Sequence, residues 1–386
     1  MHMKTGTRQA YSAATDALQA AREFYASVAQ PGMALVLFFC SSDYDLDALA
    51  AELSRLFAGV QVVGCTTAGE IGPGGYRAQG LAGVSFSAEA FTAVSGFIGQ
   101  LQHFDVTEGH TLGLRLWHEL ESKEFRASDE NSFALLLIDG MSVREEVVSR
   151  TLQEAIGKVP LVGGSAGDGL NFGRTYVYAD GRFRSDCAVL TLITTQLPFT
   201  VFKTQHFVST DQRLVITEAN TSQRVVKEIN GLPAAEEYAR LLGVDVRQLT
   251  PSRFAAWPVV VLIDGNNYVR AIQKVNPDLS VTFYCAIEEG VVLRVARGVD
   301  LIENLEEAFA RIRAEIGSPQ LVIGCDCILR RMEIVQNHLE DRVGQILMDN
   351  HTVGFNTYGE QFRGVHINQT LTGIAIGIPP AEVQRD

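Results

Sequence analysis

A chain of 386 residues with 46% apolar content is long enough for two or three domains with full-sized cores. Its 32 basic residues against 45 acidic ones give a net charge of −13, which repels phosphate backbones and argues against nucleic acid as a partner. No stretch approaches the roughly 20 apolar residues of a membrane-spanning helix, and no basic-then-apolar leader opens the chain, so a cytoplasmic protein with no membrane partner is expected.

Residues 10–29, AYSAATDALQAAREFYASVA, read as an Ala-rich amphipathic helix with Leu18, Ala21, Phe24 and Tyr25 on one side. A pattern then begins that recurs three times. Its first copy opens with the apolar run Ala34–Cys40, as expected of a strand buried on both faces. A helix follows, with Leu46, Leu49, Leu53 and Leu56 at helical spacing and Ser42 or Asp43 placed to cap it. The strand and Gly-turn VQVVGCTTAGEI and the strand GLAGVSFS complete the unit.

The second copy opens at Phe133–Gly140, FALLLIDG. Ser142 to Glu145 has the pattern of a capping box, ahead of a helix lined by Val147, Val148, Leu152 and Ile156. The Gly-turn VPLVGGSAGDG, a hairpin at YADGRF and the strand CAVLTLIT follow. From Thr200 a second domain begins, with His206 in the apolar and aromatic setting FKTQHF. Asn230-Gly231 marks a turn, and Pro233 starts a short helix. Two further strands, WPVVVLIDG and SVTFYCAI, precede a helix with Leu301, Leu305, Phe309 and Ile312 inward. The third copy opens at Gln320–Cys327, continues through one helix, MEIVQNHLEDRVGQIL, and turns at HTVGFNTYGEQ before the strand TLTGIAIG.

The segments Val63–Glu70, Val162–Asp168 and Val353–Glu360 therefore correspond. The unit is too long for a solenoid repeat, so the fold class expected is α/β (mixed α+β), a module repeated through two domains. The boundaries are 1–29 for the helical segment, 30–199 for the first domain and 200–386 for the second.

The chemistry of an enzyme is not visible. No turn reads GxGxxG or GxxxxGK[ST], no G-x-S-x-G elbow surrounds Ser165, and no His pair has metal spacing. Cys325 and Cys327 form a lone pair where a structural zinc needs four ligands. Asp43, Asp139 and Asp326 each follow a first strand, where capping and turn formation explain an Asp more simply than catalysis does. The Gly-turns have two readings. Glycine there permits a sharp bend, or the turns line a pocket through Thr66, Ser165, Asn356, Tyr358 and Glu360.

With the repeats in place, Val353–Gly377, VGFNTYGEQFRGVHINQTLTGIAIG, resembles the C-terminal signature of the FIST family. Glu228–Gly243 resembles that family's domain-joining segment, and VVGCTTAGEI, LLLIDG and LVGGSAGDG its N-terminal domain. The resemblance runs from about Gly32 to Gly377. It implies a FIST N and a FIST C domain and a sensory role. Freestanding chains of this kind resemble the NosP-type bacterial haemoproteins. That implies haem b, nitric oxide as the ligand, and regulation of a separate histidine kinase in two-component and biofilm signalling. A haem-free sensor of an amino acid or metabolite is the alternative. A homo-oligomer is compatible with both.

The resemblance bears on the histidines, because haem iron needs an axial donor. His206, at the seam between the domains, is the first candidate, and His366, in GVHINQT beside the third Gly-turn, is the second. A hydrogen-bonded core histidine is the competing reading for both.

Overall fold

The structure, a computed structural model, describes residues 6–263 and 265–378. The three repeats each build one six-stranded sheet, and the sheets are topologically equivalent. In the first, strand Met33–Ser41 runs parallel to Val62–Thr67, with helix Leu46–Leu56 as the crossover. Closing strand Leu81–Ser87 lies antiparallel on the other side, and Thr7–Ser12 pairs beyond it. The second sheet repeats this with Ser132–Ile138, Leu161–Ser165, Cys187–Thr195 and edge strand Phe91–Gly99. The third uses Pro319–Cys327, Thr352–Thr357, Leu371–Gly377 and Phe199–Thr204.

The last two positions of each sheet come from another repeat. The hairpin Val177–Ala179/Arg182–Arg184 of the second repeat pairs with Val62–Thr67 of the first. Glu360–Phe362/Val365–Ile367 of the third pairs with Leu161–Ser165 of the second. Glu70–Gly72/Gly75–Arg77 of the first pairs with Thr352–Thr357 of the third. The exchange is cyclic. Two of the crossings fall at Gly69 and Gly359, whose φ values of +132° and +155° are rarely adopted by L side chains.

The inner faces of all three sheets share one core, which includes Leu35, Phe39, Leu137, Val162, Ile323 and Phe355. Phe39 and Phe355 stack across it with centroids 4.6 Å apart. The outer faces are covered by helices: Ala17–Val28 and Leu46–Leu56, Val106–Lys123 and Glu145–Ile156, and Leu301–Ile316 with its neighbours. Burial on both faces explains why strands such as SFALLLI are apolar at every position after the first. Residues 207–298 form an inserted lobe, an eight-stranded sheet with its own core around Leu214, Tyr238, Phe254 and Val281.

Four local expectations are corrected. Residues 10–12 belong to strand Thr7–Ser12, and the helix begins only at Ala17, capped by Asp16. Asp45, in place of Ser42 or Asp43, caps helix Leu46–Leu56 by accepting from Ala48 N. The Ser142 capping box does not form, and Arg144 is the N-cap, without a side-chain bond. The third crossover is two helices, Ile328–Gln336 and Glu340–Asp349, broken where His338 takes φ +56°. The hairpin at Asp180-Gly181 forms as expected, with φ +50° and +76° at the two turn residues.

Candidate functional site

The three Gly-turns meet and interlock through their backbones. Ala68 N donates to Asn356 O at 2.9 Å and Asn356 N to Gly69 O at 2.7 Å. Gly167 N donates to Thr66 O at 2.9 Å and Ser165 N to Gly359 O at 2.8 Å. Two turns carry the same clip. Thr67 Oγ1 donates to Glu70 Oε1 at 2.6 Å and accepts from Gly69 N, and Thr357 does the same with Glu360 and Gly359. Burial pushes both Glu70 and Glu360 up to about 8, so each holds its proton at neutral pH. The second turn replaces the clip with Asp168, whose carboxylate accepts from Gly173 N and Arg174 N and from the Tyr358 hydroxyl.

Thr66, Ser165, Asn356 and Glu360 are fully buried and Tyr358 nearly so, and they line none of the five main cavities. They form a polar plug rather than a pocket wall. The Tyr358 hydroxyl also accepts from Asp168 N at 3.2 Å and Phe172 N at 3.3 Å, pinning the loop to which Phe172 belongs. Tyr358→Phe should therefore cost about 1–3 kcal/mol in urea unfolding, since it leaves those buried groups without a partner. A loss below a few tenths of a kcal/mol would show that the hydroxyl pins nothing.

His206 lies where the third repeat meets the inserted lobe, and both ring nitrogens are engaged. Nε2 lies 2.9 Å from Glu333 Oε1, and Nδ1 lies 3.2 Å from Arg330 Nη1. Burial lowers its pKa, so the neutral ring donates from Nε2 to the carboxylate and accepts at Nδ1 from the guanidinium. Arg330, itself buried, donates from Nε to Asp326 Oδ1 at 2.8 Å. Its neighbour Arg331 reaches Asn356 Oδ1 at 2.7 Å and Arg77 O at 3.0 Å. The helix start at 328–333 thus ties His206 to the plug. Asp326 belongs to this network, and Asp139 accepts from Met141 N and Thr175 Oγ1, so both serve structure.

His366 is far from His206 in role. It is 1% exposed, and burial holds its pKa down at about 4. Its Nδ1 meets Gln361 Nε2 at 3.2 Å, while Nε2 has no partner. Asn368, Gln361 and Gln369 also carry buried polar atoms without partners. A side chain on Gly359 would come within 2.3 Å of His366 Cε1, so the turn backbone closes over this ring.

A cavity of about 250 Å³ opens between the plug and the inserted lobe. Phe172 comes from the second repeat, Phe254, Gln273 and Tyr284 from the lobe, and Leu329 and Gln369 from the third repeat. None of its lining side chains is charged. Phe172, at φ +50°, stacks on Tyr358 with centroids 4.5 Å apart and lies 6.1 Å from Tyr284. Gln369 Nε2 donates to Ala255 O at 3.0 Å, which fixes the amide and leaves Oε1 without a donor.

The residues present do not fit a haem in this arrangement. His206 has no free nitrogen, His366 has one that the Gly359 turn covers, and neither lines any of the five main cavities. Sequence reasoning missed Phe172, Tyr284, Gln369 and the two arginines. Only Arg330 left a readable signal, its i,i+4 spacing from Asp326. Among the described residues no helix is long and apolar enough to cross a membrane.

A FIST N domain model matches residues 34–232 and a FIST C domain model residues 234–363. The seam cavity thus draws its lining from both matched regions. No curated protein matches the chain. Among solved structures, cyanuric acid hydrolase from A. caulinodans is similar at 8% identity and a TM-score of 0.39, over 96% of this chain and 99% of that one. A second cyanuric acid hydrolase structure is similar at 10% identity and TM-score 0.39, over 96% and 98%. Two family models that together cover most of the chain place it in the FIST family, whose domains are sensory domains for small ligands.

Proposed function

We propose that this protein senses a small molecule without haem and without catalysis, and that the ligand enters the seam cavity. The observation that carries this reading is the position of an uncharged cavity where the plug, the third repeat and the inserted lobe meet. Its volume lies just under the usual span of ligand pockets, about 300–1,000 Å³, which suits a ligand of about one ring. Occupancy would change how the lobe rests on the plug, because Phe172 and Gln369 belong to the core and Phe254 and Tyr284 to the lobe. The resemblance suggests the recipient, a separate histidine kinase, whose autophosphorylation would be compared with and without this protein.

The haem-based reading, nitric oxide sensing of the NosP type, has one observation in its favour: His366 Nε2 is the only unpartnered ring nitrogen of the two candidate histidines. It requires the Gly359 turn to move aside. The visible spectrum of freshly purified protein, before and after titration with haemin, separates the two readings. The expected result is no stoichiometric Soret band. A band at one haem per chain that moves on adding NO would replace the first reading with the second, and loss of that band in His366→Ala would assign the ligand.

A further inference from the structure

We infer that the seam cavity takes a neutral, single-ring aromatic molecule. The inference rests on this cavity being the sensory site.

Charge is the first argument. An ionised ligand buried here would find no counter-charge, since every lining side chain is uncharged. Two arginines of the inserted lobe are already committed. Arg224 is paired with Glu145 at 2.8 Å and Glu146 at 2.7 Å and donates to Tyr284 O at 2.6 Å. Arg270 donates to His366 O at 2.9 Å. Burying an unpaired charge costs several kcal/mol even after relaxation, so zwitterionic amino acids and carboxylates are selected against.

The second argument is shape. Phe172, Phe254 and Tyr284 present ring surfaces and edges, and Phe172 is held in place by its stack on Tyr358. Aromatic walls favour an aromatic guest through offset and edge contacts.

Benzamide, benzoate and benzamidine share one size and shape and differ in charge and donors, and toluene has the ring alone. Binding of the four would be measured by saturation-transfer NMR and calorimetry on the full chain. Benzamide should bind at least about tenfold more tightly than benzoate or benzamidine. Phe172→Ala, which removes one aromatic wall, should weaken benzamide and toluene alike. If benzoate or benzamidine binds as well as benzamide, the ligand class is wrong and the seam site stands. If none of the four binds, the seam cavity is not a sensory site of this kind. Should Phe172→Ala fail to fold, the wild-type panel alone still decides.

Discussion

Arg330→Ala should lower the free energy of unfolding by about 3–5 kcal/mol, the loss expected when one partner of a buried ion pair is removed. Arg330 is among the largest fully buried side chains of the described residues. It is the cation for Asp326, which has no solvent exposure, and the donor for His206 Nδ1. The substitution strands a buried carboxylate with the Tyr76 hydroxyl as its remaining side-chain donor, and it leaves an imidazole nitrogen without a proton to accept. Pairing Arg330→Met with Asp326→Asn should recover part of the loss, because the uncompensated charge is then gone. Urea unfolding of the single and double variants measures both effects. A loss under about 1 kcal/mol for Arg330→Ala would mean that water or a rearranged side chain replaces the guanidinium.

The second large effect is on pH dependence. Glu70 and Glu360 are pushed by burial to about 8, while a carboxyl in an unfolded chain titrates near 4.3. Between those values the unfolded chain has released protons that the native protein keeps. Their contribution to stability is therefore complete below about pH 4 and falls as pH rises, at up to about 1.4 kcal/mol per pH unit for each group, until it levels off above about pH 8. Glu360→Gln imitates the protonated side chain beside Thr357 and Thr370, whose hydroxyls can turn to suit it. The variant should lose stability less steeply than the parent between pH 5 and 8 and be the more stable of the two at pH 8. Parallel stability curves for parent and variant would place the ionised form in the native state.

Much of the architecture was legible because burial on both faces of a sheet leaves an unmistakable mark. Runs such as ALVLFFC and FALLLIDG, each followed by helical spacing and a Gly-turn, identify the repeats without any contact information. The exchange of hairpins left no such mark. A hairpin's composition is the same whichever sheet receives it, and its partner strand lies far away in the chain. The break at His338 was hidden because Val335, Leu339, Val343 and Leu347 keep helical spacing across it, although Val335 is exposed. Of the site, the apolar setting of His206 was readable, but its partners were not. Glu333 and Arg330 lie more than a hundred residues away, and they turn an apparent lone imidazole into a saturated one.

The cyclic exchange of hairpins has a consequence for the chain as it leaves the ribosome. The hairpin ending in Gly75–Arg77 is made early, and its partner strand Thr352–Thr357 about 280 residues after Gly72. At about 5–20 residues per second, that is a wait of roughly 15–60 s. Strand Leu161–Ser165 likewise emerges long before Glu360–Phe362 arrives to cover its open side. The first two repeats can collapse onto their helices meanwhile, but they present a bare strand edge until the end of the chain appears. A nascent or truncated form ending near residue 232 therefore carries the unpaired edge of an otherwise buried strand, which is the kind of surface that other chains add to and that holdase chaperones cover.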